Sequence, residues 1–223
     1  MKWGNPLNAL RAFFEILLDQ VFPPKARSTR TKRRHAEQIP LQPEVHMLLG
    51  EQIVTIMDYR NRIVEDLIRS IKYDGAQYGA HLCAQILAEY LTEEIATIRA
   101  FSTKSILLIP VALHPSRQKE RGYNQIIRVL NELPEEFKNG DLSKLAPEIL
   151  LRVRPTPQQT RLSRPERIKN VAGAFALSEG VDLKRMHVFL IDDVTTTGAT
   201  LVSAATPLTR AGAEVTLLAL ARA

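Results

Sequence analysis

The sequence predicts an α/β protein with a mostly parallel central sheet flanked by helices. The first observation is the short, continuous apolar run Ser105–Val111, which suits a strand buried on both faces. The second is a pair of clear strand candidates, His187–Ile191 and Val215–Ala219, joined by a helix after Gly198. Strands that alternate with helices are typical of parallel sheets.

The N-terminal elements come first. Asn5-Pro6 begins a helix, and apolar residues recur at helical spacing from Leu7 to Val21 until Pro23-Pro24 ends it. We therefore expect an amphipathic helix over residues 1–24, with an N-terminal helical extension preceding the main domain. Residues 25–52 have charge and turn formers without a periodic apolar face over Lys25–Pro43, which predicts a basic linker.

The main domain is predicted to span residues 53–223. From Ile53 to Tyr90 the pattern indicates helices, with a break near Gly75, and a further helix is expected around Gln125–Leu133. A weaker strand candidate is Ile149–Val153.

The composition of the 223-residue chain excludes several classes of protein. The net charge is +6, from 30 basic and 24 acidic residues. Six of the basic residues lie in Lys25–Arg34, so the rest of the chain is balanced in charge, which argues against a uniformly basic nucleic-acid binder. The single cysteine, Cys83, excludes an internal disulfide or a multi-thiolate zinc site within one chain. No apolar stretch is long enough to cross a membrane, and we expect a cytoplasmic protein.

The most informative stretch runs from His187 to Leu201, where an apolar strand ends on Asp192 and Asp193 and a threonine- and glycine-containing loop leads into a helix. Ligands of open parallel sheets bind beyond the carboxyl ends of the strands, and a helix N-terminus there suits a phosphate. Gly198 would let the backbone approach the anion. The carboxylates suit sugar hydroxyls or Mg²⁺. A Walker B strand is improbable because the chain has no P-loop motif, whereas a strand followed by a capped helix without ligand stays an alternative.

The segment Ile191-Asp-Asp-Val-Thr-Thr-Thr-Gly-Ala-Thr200 resembles the phosphoribosyl pyrophosphate (PRPP) signature of type I phosphoribosyltransferases, with Thr195 where an aliphatic residue is usual. Further segments narrow the resemblance to the ComF, or competence protein F, family, and cover the chain from about Asp58. They are Tyr59-Arg-Asn-Arg62, Ile71-Lys-Tyr-Asp-Gly75, Ile109-Pro-Val-Ala-Leu-His114, Arg121-Gly-Tyr-Asn-Gln125, Thr156-x-x-Gln159-x-x-Leu162 and Arg167-x-x-Asn170-x-x-Gly173-Ala-Phe175.

The resemblance implies a type I phosphoribosyltransferase-like fold and a set of site residues. Asp192 and Asp193 would face the ribose hydroxyls, directly or through Mg²⁺. The 5-phosphate would lie in the loop formed by Val194, Thr195, Thr196, Thr197, Gly198, Ala199 and Thr200. Pyrophosphate would meet the loop after the first core strand, with nearby arginines: Val111, Ala112, Leu113, His114, Arg117 and Arg121. Ala112 stands where the family more often has proline.

The segment Arg152–Lys169 is a second basic cluster and resembles the mobile catalytic loop of the relatives. Arg154 and Arg167 are its candidate catalytic cations, and Thr156, Gln159 and Asn170 would orient it. A closing basic lid would stabilise the pyrophosphate leaving group and exclude water. The alternative is a solvated basic loop.

The chain departs from the family at its N-terminal zinc-ribbon cysteines, which are missing from residues 25–52, so no zinc is expected. The basic run there is either a solvated tether or a contact for single-stranded DNA. Two functions are compatible with the sequence. One is a phosphoribosyltransferase that uses PRPP and Mg²⁺ on an unknown acceptor. The other is a non-catalytic PRPP- or nucleotide-binding module linked to DNA uptake. A homodimer is compatible with either, and no membrane insertion is expected.

Overall fold

The computed structural model describes residues 26–74, 76–116, 122–155 and 170–223. The helices of these ranges are α1 (Ala26–Lys32), α2 (Arg62–Asp74), α3 (Gln77–Phe101), α4 (Gln125–Asn131) and α5 (Ala199–Arg210). The strands are β1 (Glu44–Leu48), β2 (Glu51–Asp58), β3 (Ser105–Pro110), β4 (Lys144–Leu145), β5 (Leu150–Arg152), β6 (Phe175–Leu177), β7 (Met186–Thr195) and β8 (Glu214–Arg222). Two 3₁₀ turns lie at Ala36–Gln38 and Glu135–Phe137.

The main sheet has six strands in the order β1-β2-β8-β7-β3-β4. The first pair, β1 and β2, is an antiparallel hairpin, and every other neighbouring pair is parallel. Leu49 and Gly50 make the tight turn of this hairpin with φ angles of 55° and 84°, as a two-residue turn requires. The predicted α/β class with a mostly parallel sheet is confirmed.

Helices cover both faces of the sheet because the central strands are apolar on both faces through their middle. On β7, Phe189 and Ile191 pack under α2, α3 and α4. Val188 and Leu190, which alternate with them, pack under α5 on the other face. The continuous apolar runs of β3 and β7 therefore have the two-sided burial that the sequence indicates.

A second, two-stranded antiparallel sheet pairs β5 with β6. Phe175 and Leu150 join the apolar core on the α5 side, so this small sheet is anchored to the main domain. The segment between β5 and β6 carries much of the second basic cluster, and residues 156–169 lie outside the described ranges.

The N-terminal part differs most from the predictions. Residues 1–24, predicted as an amphipathic helix, lie outside the described residues. The prediction of a linker over 25–52 is wrong, since this stretch contains α1, the edge strand β1 and the start of β2. The helical interpretation from Ile53 is also wrong up to Asp58, because Ile53–Asp58 pairs with β8 as a strand.

Candidate functional site

The site lies at the carboxyl edge of the parallel strands, where loops from neighbouring strands meet. Val111 continues β3 beside β7 by donating its backbone N–H to the Ile191 carbonyl at 2.8 Å. Thr195 ends β7, and its carbonyl accepts from the Ala223 N–H at 3.0 Å, next to the end of β8. The structure thus brings the predicted pyrophosphate loop and the predicted 5-phosphate loop to one edge of the sheet.

Asp192 and Asp193 both lie within β7, so their side chains alternate between the two faces of the sheet. Asp193 faces α2, where its Oδ2 lies 3.3 Å from the Lys72 Nζ. Asp192 belongs to the opposite face, and the charge of Arg152 on β5 acts on it there. Lys72 therefore pairs with Asp193 and also attracts Asp192, on which the charge of Arg152 acts more weakly.

Both carboxylates are also held by the backbone. Asp193 donates its N–H to the Oδ1 of Asp192 at 2.8 Å, and Val194 donates its N–H to the Oδ1 of Asp193 at 2.7 Å. These local bonds fix the side-chain orientation at the point where the strand leaves the core. For Asp193, the second oxygen, Oδ2, is the one turned towards Lys72.

The electrostatic environment of the pair is unequal. Desolvation, together with repulsion from Asp193, raises the pKa of Asp192 to about 7. Burial is the largest single effect and lowers the pKa of the Lys72 ammonium, but the attractions of Asp193, Tyr73 and Asp192 together outweigh it, and the pKa is raised on balance. Lys72 is therefore a charged, largely buried ammonium beside the carboxylate pair.

The loop after β7 begins α5. Thr195 is buried and Thr196 is exposed, and Thr197 accepts the Ala199 N–H through its hydroxyl at 3.4 Å. Gly198 is the N-cap of α5 with a φ of 77°, in the left-handed region that favours glycine. Backbone N–H groups at such a helix start suit an anion.

Gly198 also has a packing role that the sequence did not reveal. A Cβ on Gly198 would lie 2.6 Å from the Cδ1 of Ile53 and 3.0 Å from the Cβ of Leu48. The side of Gly198 that lacks a Cβ is thus filled by the β1–β2 hairpin. The hairpin, part of the segment predicted as linker and helix, shapes the loop.

The predicted pyrophosphate loop is held by Asn124. The Asn124 amide donates to the Val111 carbonyl at 3.0 Å, and its Oδ1 accepts the Ile126 N–H that begins α4. Ala112, Leu113 and His114 follow Val111 and are partly exposed. The Nδ1 of His114 lies 3.2 Å from the Ser116 backbone nitrogen and 2.8 Å from the Ser116 hydroxyl oxygen, so the ring is held by the next turn of its own loop. Arg117 and Arg121 lie outside the described residues.

Tyr123 connects this loop to α2. Its hydroxyl donates to the Ile71 carbonyl at 2.8 Å, one residue before Lys72, and the guanidinium of Arg128 lies over its ring at 4.1 Å. Tyr123 and Asn124, whose motif suggested the family, therefore set the positions of neighbouring segments.

The base of the second basic cluster is closed by Arg154. Its guanidinium donates to the carbonyls of Asn170 and Ala172, on the far side of the loop. Asn170 thus lies at the end of the loop, and Arg154 joins its two ends. The other predicted residues of the loop, Thr156, Gln159 and Arg167, lie outside the described residues.

Lys72 was given no role of its own by the sequence analysis, and Arg152 was counted there only as the first residue of the second basic cluster. Lys72 belongs to the quoted segment Ile71–Gly75. The sequence feature that could have revealed its role is the position of a cation on an otherwise apolar helix face. Arg152 is only 8% exposed, and its guanidinium lies 5.2 Å from the centre of the Phe175 ring. Arg152 points inward on its strand, whereas its sequence neighbours Leu151 and Val153 face solvent, and this reversed pattern is the feature that marks it.

The carboxylates at the carboxyl edge of the sheet fit Mg²⁺ better than a metal ion held entirely by protein side chains. Within the described ranges, no group of three or more histidine, cysteine, aspartate or glutamate side chains could hold a metal ion. Mg²⁺ is commonly bound by one or two carboxylates together with waters and substrate phosphates, so Asp192 and Asp193 would suffice beside a phosphorylated ligand.

Comparison with known proteins gives relatives of one kind. No family model matches the chain. The chain is 36% identical over 118 residues to "Competence protein F" of Haemophilus influenzae, which covers 52% of this chain and 50% of that protein. It is 26% identical to "Competence protein ComFC" of Streptococcus pneumoniae, over 69% of this chain and 60% of the relative. The chain thus spans half to three fifths of the length of these two relatives.

A longer match is to "DNA utilization protein YhgH" of Escherichia coli, with 27% identity over 84% of this chain and 83% of the relative. These sequence relatives support the resemblance to the ComF family. The ComF-like segments quoted from the sequence contribute Tyr123, Asn124 and Lys72 to the site described above, and the segment that resembles the PRPP signature contributes the Asp192–Asp193 pair.

Solved structures with a similar arrangement include a hypoxanthine phosphoribosyltransferase of Staphylococcus aureus, at 11% identity and a TM-score of 0.35 over 64% of this chain and 61% of that one. Another is the orotate phosphoribosyltransferase of Mycobacterium tuberculosis, at 12% identity and a TM-score of 0.34 over 85% of this chain and 79% of that one. Structural similarities with TM-scores this low support no conclusion about this chain. Within the described ranges, no helix is long and apolar enough to cross a membrane.

Proposed function

We propose that this ComF protein binds PRPP with Mg²⁺ and transfers its phosphoribosyl group to an acceptor, with release of pyrophosphate. The observation that carries the proposal is the carboxylate pair at the end of β7, followed at once by a helix-capping loop at the carboxyl edge of a parallel sheet. Asp192 and Asp193 would accept hydrogen bonds from the ribose hydroxyls, and the backbone N–H groups of residues 196–200 would hold the 5-phosphate.

The cations of the edge suit a polyanionic ligand. Lys72 lies on one side of β7 and Arg152 acts from the other, so positive charge flanks the carboxylates. The loop Val111–His114 would receive the pyrophosphate group, and the basic segment around Arg154 and Arg167 would cover it. Bound Mg²⁺ would supply charge neutralisation of the phosphate oxygens.

The transfer itself needs little covalent chemistry from the protein. The bond between C1 and the pyrophosphate oxygen breaks, and its electron pair leaves with pyrophosphate. A lone pair of the acceptor forms the new bond to C1, and the acceptor gives up its proton. The protein would bind and orient both partners, exclude water, and stabilise the positive charge that develops on the ribose.

A non-catalytic PRPP-binding module, linked to DNA uptake, is the second candidate. Relatives are named for competence and for DNA utilization, and these names describe no transferase. The guanidinium of Arg154 is already engaged with two backbone carbonyls, which suits a structural clasp as well as a catalytic cation.

Calorimetric titration with PRPP and Mg²⁺ tests the proposal. We expect binding to the natural chain, and about a tenfold or greater loss of affinity for Asp193→Asn and for Lys72→Met, since each removes a charged partner at the edge. Glu93→Gln, an exposed acid on α3 away from this edge, is the matched control and should bind as the natural chain does. Absence of binding to the natural chain would contradict both candidate functions.

Pyrophosphate release separates the two candidates. If the chain is a transferase, a panel of nucleobases, amines and nucleic-acid ends should include an acceptor that triggers release of pyrophosphate from bound PRPP. Tight binding of PRPP without release across that panel favours the binding module.

A further inference from the structure

A large cavity lies at the amino edge of the main sheet, opposite the edge that carries the candidate site. It has a volume of about 660 Å³ and lies between the starts of β3 and β7 and the segments that follow α3 and precede β7. Its floor is apolar and includes Ile106, Leu107, Leu142, Ile149, Leu183 and Met186. A cavity of this volume is within the range of sites that accept a large organic group.

An exposed aromatic side chain stands directly beside this cavity. Phe101, the last residue of α3, is 90% exposed, more than any other large apolar side chain in the described part of the chain. The residues immediately after it, Ser102 to Lys104, line the cavity. Leaving one phenylalanine fully in water forgoes about 2 kcal/mol of burial, which an interface would recover.

The surface around Phe101 permits close approach of another protein. Thr97 and Ala100, on the preceding turn of α3, are exposed and small. The rim of the cavity carries both signs of charge, with Lys144 and Arg99 on one hand and Glu148 and Asp182 on the other. A rim of mixed sign suits contact with a rotated copy of itself better than contact with a uniformly acidic or basic partner.

We propose that the chain forms a two-fold symmetric homodimer in which Phe101 of each copy inserts into the amino-edge cavity of the other. A projecting side chain and a cavity that adjoin on one surface satisfy the self-complementarity of such an interface, because a two-fold axis between them brings each projection to the opposite cavity. The two carboxyl edges face away from this interface, so the proposal does not depend on the proposed function.

Sedimentation velocity over a hundredfold range of concentration tests the dimer. We expect the natural chain to move from the mass of one chain to twice that mass. Phe101→Asp should raise the dissociation constant about a hundredfold, because a central aromatic anchor is lost. Met47→Asp, which changes a 65% exposed side chain on the distant strand β1, is the matched control and should dimerise normally. Phe101 is nearly fully exposed, so its replacement should leave the thermal unfolding of the monomer unchanged.

Cysteine cross-linking tests the geometry. Burial raises the pKa of the Cys83 thiol to about 12, so the natural chain provides an unreactive background. A mixture of Phe101→Cys and Ile149→Cys chains should be joined by a short bis-maleimide, and a mixture of Phe101→Cys and Met47→Cys chains should give less heterodimer. A natural chain that stays at the mass of one chain throughout, a Phe101→Asp variant that dimerises normally, or equal cross-linking of the two mixtures would each overturn the proposal.

Discussion

Asp192 and Asp193 are adjacent in sequence, yet they lie in different electrostatic environments. Lys72 approaches Asp193 directly, at 3.3 Å, whereas the charges of Lys72 and Arg152 act on Asp192 more weakly than its desolvation and the repulsion from Asp193. Desolvation and the neighbouring carboxylate therefore dominate at Asp192, and its pKa is raised. One member of the pair is thus poised to exchange a proton near neutral pH, while its neighbour is held by an ammonium.

This difference predicts a pH dependence of stability. Because the pKa of Asp192 is about 7 in the folded chain and near its ordinary value of 3.8 in the unfolded chain, the folded state keeps a proton that the unfolded state has lost between these values. Stability should therefore fall as the pH rises through this range. The loss attributable to Asp192 should be on the order of 1 kcal/mol, since each unit of pKa is worth about 1.4 kcal/mol and solvent weakens the effect at a half-buried group.

Urea unfolding at about pH 5 and about pH 8 measures this effect. Asp192→Asn should lose less stability than the natural chain between the two values, and Glu179→Gln, an exposed acid, should behave as the natural chain does. The same pH dependence in Asp192→Asn and in the natural chain would show that Asp192 is not the group responsible.

The carboxylates could be predicted from the sequence because they follow an apolar run directly, and strand periodicity needs no knowledge of the rest of the fold. Their cationic partners could not. Lys72 is 121 positions away from Asp193, and the two meet only because α2 crosses the carboxyl edge of the sheet. Arg152 reaches the same edge through the small second sheet, whose pairing with residues 175–177 no local pattern indicates.

At the scale of elements, the β1–β2 hairpin is structural support for the loop between β7 and α5. Leu48 and Ile53 pack into the side of Gly198 that has no Cβ, so the hairpin and the start of α5 are fitted to each other. The sequence did not reveal this hairpin, although Ile53-Val-Thr-Ile56 is rich in β-branched residues that favour strands. The helical spacing of apolar residues continues to Tyr90. It concealed the change from strand spacing to helical spacing at Arg62, where α2 begins.

The α1 helix shows a second element that charge patterning obscured. Arg30 donates two hydrogen bonds of 2.8 Å to the carboxylate of Asp66 on α2, and Ser28 donates to Asp74 at 2.6 Å. Part of the basic run is therefore used within the protein. A run of six cations without a periodic apolar face favours a solvated linker when only the sequence is considered. Its acidic partners lie on another helix and are seen only in the folded chain.

Replacement of Gly198 by alanine tests the fit between hairpin and loop. The new Cβ would meet Ile53 at 2.6 Å in addition to the strain of a φ of 77°. Gly180→Ala is the matched control, because Gly180 has a φ of 73° and nothing within 4 Å of the added Cβ. We expect Gly180→Ala to cost about 1 kcal/mol and Gly198→Ala about 1–3 kcal/mol more, as overpacking does.

Urea unfolding of both variants measures these losses. The double variant Gly198→Ala, Ile53→Val then separates the backbone strain at Gly198 from the steric clash with Ile53. The second change removes the Cδ1 atom that the new Cβ meets, so the combined variant should recover part of the extra loss. Equal losses for the two alanine variants would mean that the hairpin yields and does not define the loop.

At the scale of the whole molecule, the sheet separates two kinds of surface. Its carboxyl edge carries the acidic pair, the cations and the loop that begins α5, whereas its amino edge carries an apolar cavity and Phe101. The class of the fold follows from the two-sided burial of β3 and β7, which long apolar runs predict. The strand order and the place of the hairpin at one end depend on tertiary packing and were not predictable from local pattern.

This separation predicts where PRPP would protect the backbone. If PRPP and Mg²⁺ bind at the carboxyl edge, amide hydrogen exchange should slow in residues 194–200 and 111–116, because bound phosphates engage backbone N–H groups and suppress local opening. The amino-edge segments 102–105 and 181–186 should exchange at unchanged rates, since they lie at the other end of the strands.

At a ligand concentration about a hundred times the dissociation constant, global stability should rise by about 2.7 kcal/mol, and the most stable amides should report that increase. Ribose 5-phosphate, which lacks the pyrophosphate, should slow exchange in 194–200 while leaving 111–116 unchanged. Protection confined to the amino edge would place the ligand at the other end of the sheet and contradict the assignment of the site.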